Sequence, residues 1–261
     1  MTRSRKPHGS RRDDARTTWL PLPEDQAGRP EGRVLSPSDL SAFEEEGAGA
    51  YAVMRLMEDA PADEGAAKAM DSDAAAQRAE MLLDTMTERD AETVGHLRRT
   101  AATVAAVAAA LGWDDERRRW ATYGALLHDI GKIGVARQVM YKPGPLTSEE
   151  QTVMRGHVDF GIDLVRAYGF PPIVARIVRE HHERLDGSGY PQGLAGTAIS
   201  EEARLVMLAD IADAMLSRRP YKRALTLDDV RQALAAGAGS LLDADLVGPV
   251  VAALPALYPE G

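Results

Sequence analysis

The chain has 261 residues, of which 44% are hydrophobic, a formal net charge of −9 and no cysteine. This length and apolar content can bury a substantial core, whereas the lack of cysteine excludes disulfides, zinc–thiolate sites, iron–sulfur clusters and thiol catalysis. No apolar run approaches the roughly 20 residues of a membrane helix, and the Arg-rich start lacks the apolar stretch of a signal peptide, so we expect a cytoplasmic protein that spans no membrane. An acidic chain also lacks the broad basic surface that general binding of DNA or RNA requires.

The N-terminal part has little to bury. Residues 1–37 are rich in Arg, Pro, Gly and Asp, which predicts a disordered tail. The six basic residues near the start could touch a polyanion, but a solvated tail is the more common outcome. An amphipathic pattern followed by a polar stretch predicts a short helical element and linker over residues 38–74, too short for a complete sensory domain. We expect the functional domain over residues 75–255 and a C-terminal tail over 256–261.

From about residue 75 the apolar spacing is helical, with no convincing strand alternation, which predicts an all-α fold. Asp114, Thr147 with Glu150, and Thr226 with Asp229 are typical residues at helix starts. The predicted helices lie near 75–87, from about 90 to 111, from 114 to about 128, from 147 to 168, from 171 to 182, from 200 onward and from 226 onward. Such a bundle can aim side chains from several helices into one interior.

Five of the six histidines fall between positions 96 and 182, each close to a carboxylate or another histidine except for one that stands alone. They are His96, His128, His157, His181 and His182. Because cysteine is absent, imidazoles and carboxylates are the ligands that remain for a transition metal. The sequence therefore predicts a polynuclear metal site in the core of the bundle.

Neighbouring residues extend this candidate site. Glu92 precedes His96 by one helical turn, so the two can share an ion or two adjacent ions. Asp129 directly follows His128, a geometry in which the carboxylate can bridge two metals. The consecutive histidines 181 and 182 are about 100° apart on a helix and suit different ions. Asp210 sits among apolar residues, where an unpaired carboxylate is costly to bury, so a neighbouring cation is expected.

Each of these residues has a plainer interpretation. On spacing alone, Glu92 is equally well a solvated acid in a first helical turn. Lys132 can reach a substrate phosphate, but alone it is better read as a helix C-terminal lysine that interacts with the dipole. A lone buried histidine such as His157 is ordinarily a packed, hydrogen-bonded core residue. The metal interpretation is favoured because the candidates occur together.

A glycine-rich loop follows the paired histidines. Gly187, Gly189, Gly193 and Gly196, with Pro191, allow tight backbone turns, although a plain helix connection has the same composition. Tyr190 in this loop could stack on a base or contact a partner. Beyond Asp210 lies a dense basic cluster that suits substrate phosphates or, more plainly, a solvated helix end. It comprises Arg218, Arg219, Lys222 and Arg223.

Together these motifs resemble the HD-GYP family of cyclic di-GMP phosphodiesterases, within the superfamily of HD metal-dependent phosphohydrolases. The resemblance covers roughly residues 80–255. The matching segments are His128-Asp129-Ile-Gly-Lys132, His157, the run from His181-His182-Glu183 through Gly189-Tyr190-Pro191 to Leu194, Asp210-Ile-Ala-Asp213-Ala214, and Arg219-Pro220-Tyr221-Lys222.

The resemblance implies an HD-domain helical bundle that opens cyclic di-GMP to linear pGpG, with a second cut to GMP left open. Two or three divalent ions, iron or manganese, are expected, with a bridging hydroxide attacking phosphorus. The implied ligands of the two principal ions are His96, His128, Asp129 as the bridge, His157, His181 and Asp210. Glu92 and His182 would serve a third ion, and the implied substrate contacts are Lys132, Tyr190, Arg219 and Lys222.

Two rival functions stay open. The same metal centre is compatible with another cyclic dinucleotide or a nucleotide substrate, as in other HD hydrolases. A protein of a different class, a metal-loaded but catalytically weak signalling module, would bind a partner such as a diguanylate cyclase domain through the Gly-Tyr-Pro loop. The Ala-rich segment 73–87 could pair helices between chains in a homodimer.

Overall fold

A computed structural model describes residues 56–57, 59–60, 70–217 and 225–259. Among these residues the regular structure is entirely helical, with isolated β-bridges and no strand, which confirms the predicted all-α class. The α-helices are α1 Ser72–Ala110, α2 Asp115–Leu127, α3 Arg137–Met140, α4 Ser148–Arg155, α5 His157–Ala167, α6 Pro172–Glu180, α7 Glu201–Leu216, α8 Leu227–Gly237 and α9 Ala244–Leu257. Short 3₁₀ turns cover Ile130–Gly134 and Gly196–Ala198.

Helix α1 is two helices joined at a break. Asp90 has non-helical φ/ψ angles of −156° and 84°. Its carboxylate accepts hydrogen bonds from the backbone N–H (3.0 Å) and the hydroxyl of Thr93, as an N-cap does for a new helix. The break confirms the predicted boundary between helices near 75–87 and 90–111. It also sets the direction of the second half of α1, which carries His96.

The predicted helix starts at Asp114, Thr147 and Thr226 are confirmed, and both threonines form capping boxes. One predicted helix, 147–168, is divided at Gly156 into α4 and α5. Helix α9 was not predicted, because two prolines lie inside it. It forms because its apolar face, Leu246, Val250 and Leu254, is buried against the rest of the bundle.

The long helix α1 packs against α2, α7 and α9, and α6 packs against α2 and α5. Close approach of α2 and α6 requires Gly124, because a Cβ there would lie 2.4 Å from Ile177 Cδ1. The Ala-rich segment at the start of α1 buries Ala75, Ala79 and Leu82 in the chain's own core. That face is therefore occupied within the chain, and the predicted homodimer is untested.

Leu56 is 3% exposed and belongs to the same apolar cluster as the first half of α1. The predicted tail over 1–37 and most of the predicted linker over 38–74 lie outside the described residues. Within the part of the chain that the structure describes, no helix combines the length and the apolar composition needed to traverse a bilayer.

Candidate metal centre

Three histidines stand at helix junctions and bond back to the preceding turn. His128 follows α2, His157 follows α4 and Gly156, and His181 follows α6. In each case Nδ1 lies 2.6–2.7 Å from the backbone carbonyl oxygen three residues earlier. A carbonyl oxygen only accepts, so each Nδ1 carries the proton and each Nε2 keeps its lone pair. The backbone thus fixes the tautomer that binds a metal.

The three Nε2 atoms converge on the carboxylate of Asp129. His157 Nε2 and His181 Nε2 lie 3.2 and 3.7 Å from its Oδ1, and His128 Nε2 lies 3.5 Å from its Oδ2. These Nε2 atoms and Asp129 Oδ1 are buried and have no hydrogen-bond partner among the described residues. Four buried acceptors facing one another repel unless a cation lies between them. The donor set therefore fits a divalent metal of the kind that nitrogen and oxygen ligands bind.

His96, on the second half of α1, forms the other side of the site. Its Nε2 lies 3.1 Å from Asp210 Oδ1, and its Nδ1 lies 2.7 Å from Asp213 Oδ2. Burial lowers the pKa of His96, but the hydrogen bonds with Asp210 and Asp213 outweigh this and raise it to about 9. Without a metal, a proton on Nε2 pairs His96 with Asp210, and an ion held by these two residues would take the place of that proton.

The remaining electrostatics favour metal binding. Burial lowers the pKa of His128 to about 4, so its imidazole is neutral at pH 7. Burial alone would raise the pKa of Asp129, but the charge of Lys132 contributes to holding it well below its usual range. The ammonium of Lys132 lies 2.5 Å from Asp129 Oδ2. The centre therefore offers a neutral imidazole at His128 and an ionised carboxylate at Asp129, the protonation states of metal ligands.

Two overlapping groups of donors bring most of the predicted ligands together. One group is His96, His128 and Asp129, and the other is Asp129, His157, His181 and His182. Within each group the donor atoms lie within 4.8 Å of one another. Asp129 is the residue common to both. Asp210 belongs to neither group by this distance, although it contacts His96 directly.

The remaining predicted site residues differ in their distance from the ligands. Glu92 is exposed and belongs to neither group, so the described geometry does not bring it to the ligands. Tyr190 does reach the site, because its ring stacks on His182 with centroids 4.5 Å apart. Arg219 and Lys222 lie outside the described residues, as does the rest of the basic cluster.

The glycine-rich loop is organised by a buried carboxylate whose role the sequence did not reveal. Glu183 is fully buried and accepts hydrogen bonds from the backbone N–H groups of Gln192 (2.7 Å) and Leu194 (3.0 Å). Gly189 allows the close return of the loop, because a Cβ there would lie 2.4 Å from Glu183 Cα. These contacts hold Tyr190 beside the histidines.

Sequence reasoning also missed two polar residues near the centre. Arg155, at the end of α4, places its guanidinium carbon 4.7 Å from the centre of the Tyr190 ring. Asp213 was noted only within a motif, although it lies one turn after Asp210 on α7 and contacts His96. The i,i+3 spacing of the two aspartates was the available signal.

The fold and site define a helical bundle with a buried histidine–aspartate centre suited to metal ions. The model of the HD domain family matches residues 80–246, more than half of the chain, and the protein belongs to this family. The membership predicted from the motifs is confirmed.

Curated relatives share parts of this sequence. The chain is 45% identical over 157 residues to the cyclic di-GMP phosphodiesterase response regulator RpfG of Xanthomonas campestris. This match covers 59% of this chain and 42% of that protein. It is 36% identical over 169 residues to a cyclic di-GMP phosphodiesterase of Thermotoga maritima, covering 64% of this chain and 46% of that protein. A 3′3′-cGAMP-specific phosphodiesterase of Vibrio cholerae is 38% identical over 136 residues, covering 52% of this chain and 30% of that protein. The chain thus spans less than half the length of these relatives.

Solved structures share the fold. Bd1817, an HDG"Y"P protein from Bdellovibrio bacteriovorus, superposes with a TM-score of 0.54 at 17% identity, covering 88% of this chain and 74% of that one. The HD domain of PgpH from L. monocytogenes, in complex with cyclic di-AMP, gives 0.51 at 14% identity, covering 69% and 98%. At these identities the likeness concerns the fold alone.

Proposed function

We propose that this chain is a metal-dependent phosphodiesterase that opens cyclic di-GMP to linear pGpG. The observation that carries the proposal is the convergence of three buried imidazole lone pairs on the buried carboxylate of Asp129, beside the ammonium of Lys132. The names of the Xanthomonas and Thermotoga relatives support the choice of substrate.

The HD-GYP resemblance, together with the two donor groups, supports the following ligand roles. We assign one ion to His96, His128 and Asp210, and a second to His157 and His181, with Asp129 between them as the bridge. Iron or manganese suits these nitrogen and oxygen donors. When bound, such a metal pair lowers the pKa of a water molecule towards neutrality and polarises the phosphoryl group. Packing of the helices that carry the ligands keeps their side chains in place.

The chain's own residues position the substrate. Lys132 lies next to Asp129, where its ammonium would neutralise phosphate charge as the phosphorus becomes five-coordinate. Tyr190, stacked on His182, would border the space for a base. We assign Arg219 and Lys222 to further phosphate or guanine contacts, as the HD-GYP resemblance implies.

The primary test is an anaerobic assay of purified protein with cyclic di-GMP, in which products are resolved by chromatography and metal content is measured on the same sample. We expect linear pGpG, about two or three bound ions, and loss of turnover on chelation. The variant Asp129→Ala should lose metal and activity together. Retention of both would refute the bridging role, and full metal loading with intact substrate would favour the partner-binding module.

A second candidate substrate is 3′3′-cGAMP, because three of the similar curated proteins are named cGAMP-specific phosphodiesterases. The two dinucleotides differ in one purine, so Tyr190 and the glycine-rich loop would decide between them. Competition at equal concentrations, measured as the ratio of kcat/KM values, distinguishes the candidates. A ratio of cGAMP to cyclic di-GMP above about 10, or about 1.4 kcal/mol, would replace the proposed substrate.

A third ion beside Glu92 and His182 stays a prediction. Metal analysis of Glu92→Ala tests it, because a ligand loss there should remove one ion while the ligands around Asp129 keep theirs. An unchanged metal content would limit the centre to the ions held by the buried groups.

A further inference from the structure

The imidazole of His96 is held by a carboxylate rather than by the backbone. Asp213 is fully buried on α7, and its Oδ2 accepts the hydrogen bond from His96 Nδ1 at 2.7 Å. This bond fixes the His96 tautomer, as the backbone carbonyls do for His128, His157 and His181. The Nε2 atom of His96 therefore faces Asp210 and the metal centre. The orientation of His96 therefore depends on what holds Asp213.

Asp213 is held by side chains from three parts of the bundle. Arg99, one turn after His96, donates from Nε to Oδ1 at 2.6 Å and from Nη2 to Oδ2 at 3.0 Å. The hydroxyl of Ser217 donates to Oδ2 at 3.1 Å. The hydroxyl of Tyr258, directly after α9, donates to Oδ1 at 2.5 Å. An ionised carboxylate only accepts, so all of these donors, and His96, are compatible with it at once.

Tyr258 stands apart from the other partners of Asp213. It lies beyond residue 246, where the match to the HD domain family ends. Burial and the hydrogen bond to Asp213 raise the pKa of its hydroxyl, so it is protonated and donates at neutral pH. It connects α9, the helix with two internal prolines, to a residue in contact with a metal ligand.

We propose that Tyr258 is a positioning residue of the metal centre, which acts through Asp213 on the imidazole of His96. The Tyr258 hydroxyl occupies a lone pair of Asp213 Oδ1 and keeps the carboxylate turned so that Oδ2 meets His96 Nδ1. Without it, Asp213 retains Arg99 and Ser217 but is free to rotate towards them. His96 then loses part of its alignment, and the ion at His96 and Asp210 binds less tightly.

This inference rests on the proposed metal centre but not on the identity of the substrate. The test compares Tyr258→Phe with Tyr168→Phe. Tyr168 is fully buried, and its hydroxyl has no hydrogen-bond partner among the described residues, whereas Tyr258 is half-buried. Both changes remove one hydroxyl and keep the aromatic ring, so they are matched in chemistry. Asp213→Asn serves as the direct perturbation of His96.

Binding of Mn²⁺ to the metal-free full chain is measured by calorimetry, together with the His96 Hδ1 resonance in protein labelled with ¹⁵N-histidine. Loss of a residue that orients a metal ligand typically weakens binding by about 10- to 100-fold, and we expect a loss of this size for Asp213→Asn. Tyr258 is one hydrogen bond further from His96 than Asp213 is. For Tyr258→Phe we therefore expect Mn²⁺ affinity to fall by roughly 3- to 10-fold and the His96 resonance to shift. Tyr168→Phe should change neither.

The outcomes separate the proposals. If Tyr258→Phe lowers only the unfolding temperature, with wild-type Mn²⁺ affinity and an unmoved His96 resonance, its role is structural and the inference is wrong. If wild-type protein binds Mn²⁺ but leaves cyclic di-GMP intact, the proposed substrate fails while the affinity comparison still decides the role of Tyr258. If wild-type protein binds no Mn²⁺, the proposed centre fails, and an unmoved resonance in Tyr258→Phe would also refute the coupling to His96.

Discussion

Substitution of Gly131 by alanine tests how the metal centre is built. Gly131 lies two residues after Asp129 in the 3₁₀ turn, against the backbone of α5. A Cβ at this position would lie 1.9 Å from His157 O and 2.4 Å from Gly161 N. To reach even 3.0 Å from His157 O, the two backbones must separate by about 1.1 Å. Because the obstacle is backbone on both sides, no side-chain rotation can relieve it.

The expected cost is at the upper end of overpacking, about 3 kcal/mol. For a domain of this size that lowers the unfolding temperature by roughly 6–12 °C. The shift also moves His157 away from Asp129, so Mn²⁺ affinity should fall as well. Thermal unfolding in chelator measures the first effect, and calorimetry with Mn²⁺ measures the second.

The matched control is Gly248→Ala, since Gly248 is an exposed helical glycine of α9, and a Cβ added there would have no neighbouring atom within 4 Å. We expect its unfolding temperature to stay the same or rise slightly, because alanine favours helix by up to about 1 kcal/mol. If Gly131→Ala unfolded within a degree of wild type and bound Mn²⁺ equally well, the close approach of the turn to α5 would not position the ligands.

Three further predictions concern the loop, a helix start and the metal. Glu183→Gln leaves only one side-chain acceptor oxygen for the backbone N–H groups of Gln192 and Leu194. We therefore expect a higher KM for cyclic di-GMP and faster proteolysis of the loop, with unchanged metal content. A wild-type KM and a wild-type rate of proteolysis would contradict the role of Glu183. Thr147→Ala removes a capping box and should cost about 1 kcal/mol in urea unfolding, with unchanged turnover, whereas Thr152→Ala on the same helix should stay within about 0.5 kcal/mol. Metal-free protein should be less stable, by about 2.7 kcal/mol in free energy of unfolding, than protein with free metal at 100 times the Kd. Equal unfolding temperatures of the metal-free and metal-loaded protein would argue against a buried ion.

The sequence predicted helix starts well because capping is local. Asp114, Thr147 and Thr226 each accept a hydrogen bond from the backbone N–H three residues on, and such bonds depend on few other residues. The break at Asp90 was predictable for the same reason. Helix α9 was not, because Pro249 and Pro255 oppose a helix locally and only burial of its apolar face in the assembled bundle compensates.

The ligands were predictable as residue types but their supports were not. Clustered histidines are unusual enough to indicate a metal, and adjacency paired His128 with Asp129. The carboxylate that orients His96 is 117 residues away in sequence, and the hydroxyl that holds this carboxylate is a further 45 residues on. No periodicity or spacing reports contacts at such separations, because they arise only when α1, α7 and α9 pack together.

The centre therefore joins two kinds of support, and the difference has a chemical consequence. His128, His157 and His181 donate Nδ1–H to neutral backbone carbonyls, whereas His96 donates to the ionised carboxylate of Asp213. A hydrogen bond to a carboxylate makes the opposite ring nitrogen more basic than one to a carbonyl. An ion held by His96 and Asp210, as proposed above, would thus receive the stronger imidazole donor and an additional carboxylate, while an ion held by His157 and His181 would receive weaker neutral donors. We expect the second ion to be the more electron-poor of the two, so the phosphate oxygen that needs most polarisation would be best placed against it.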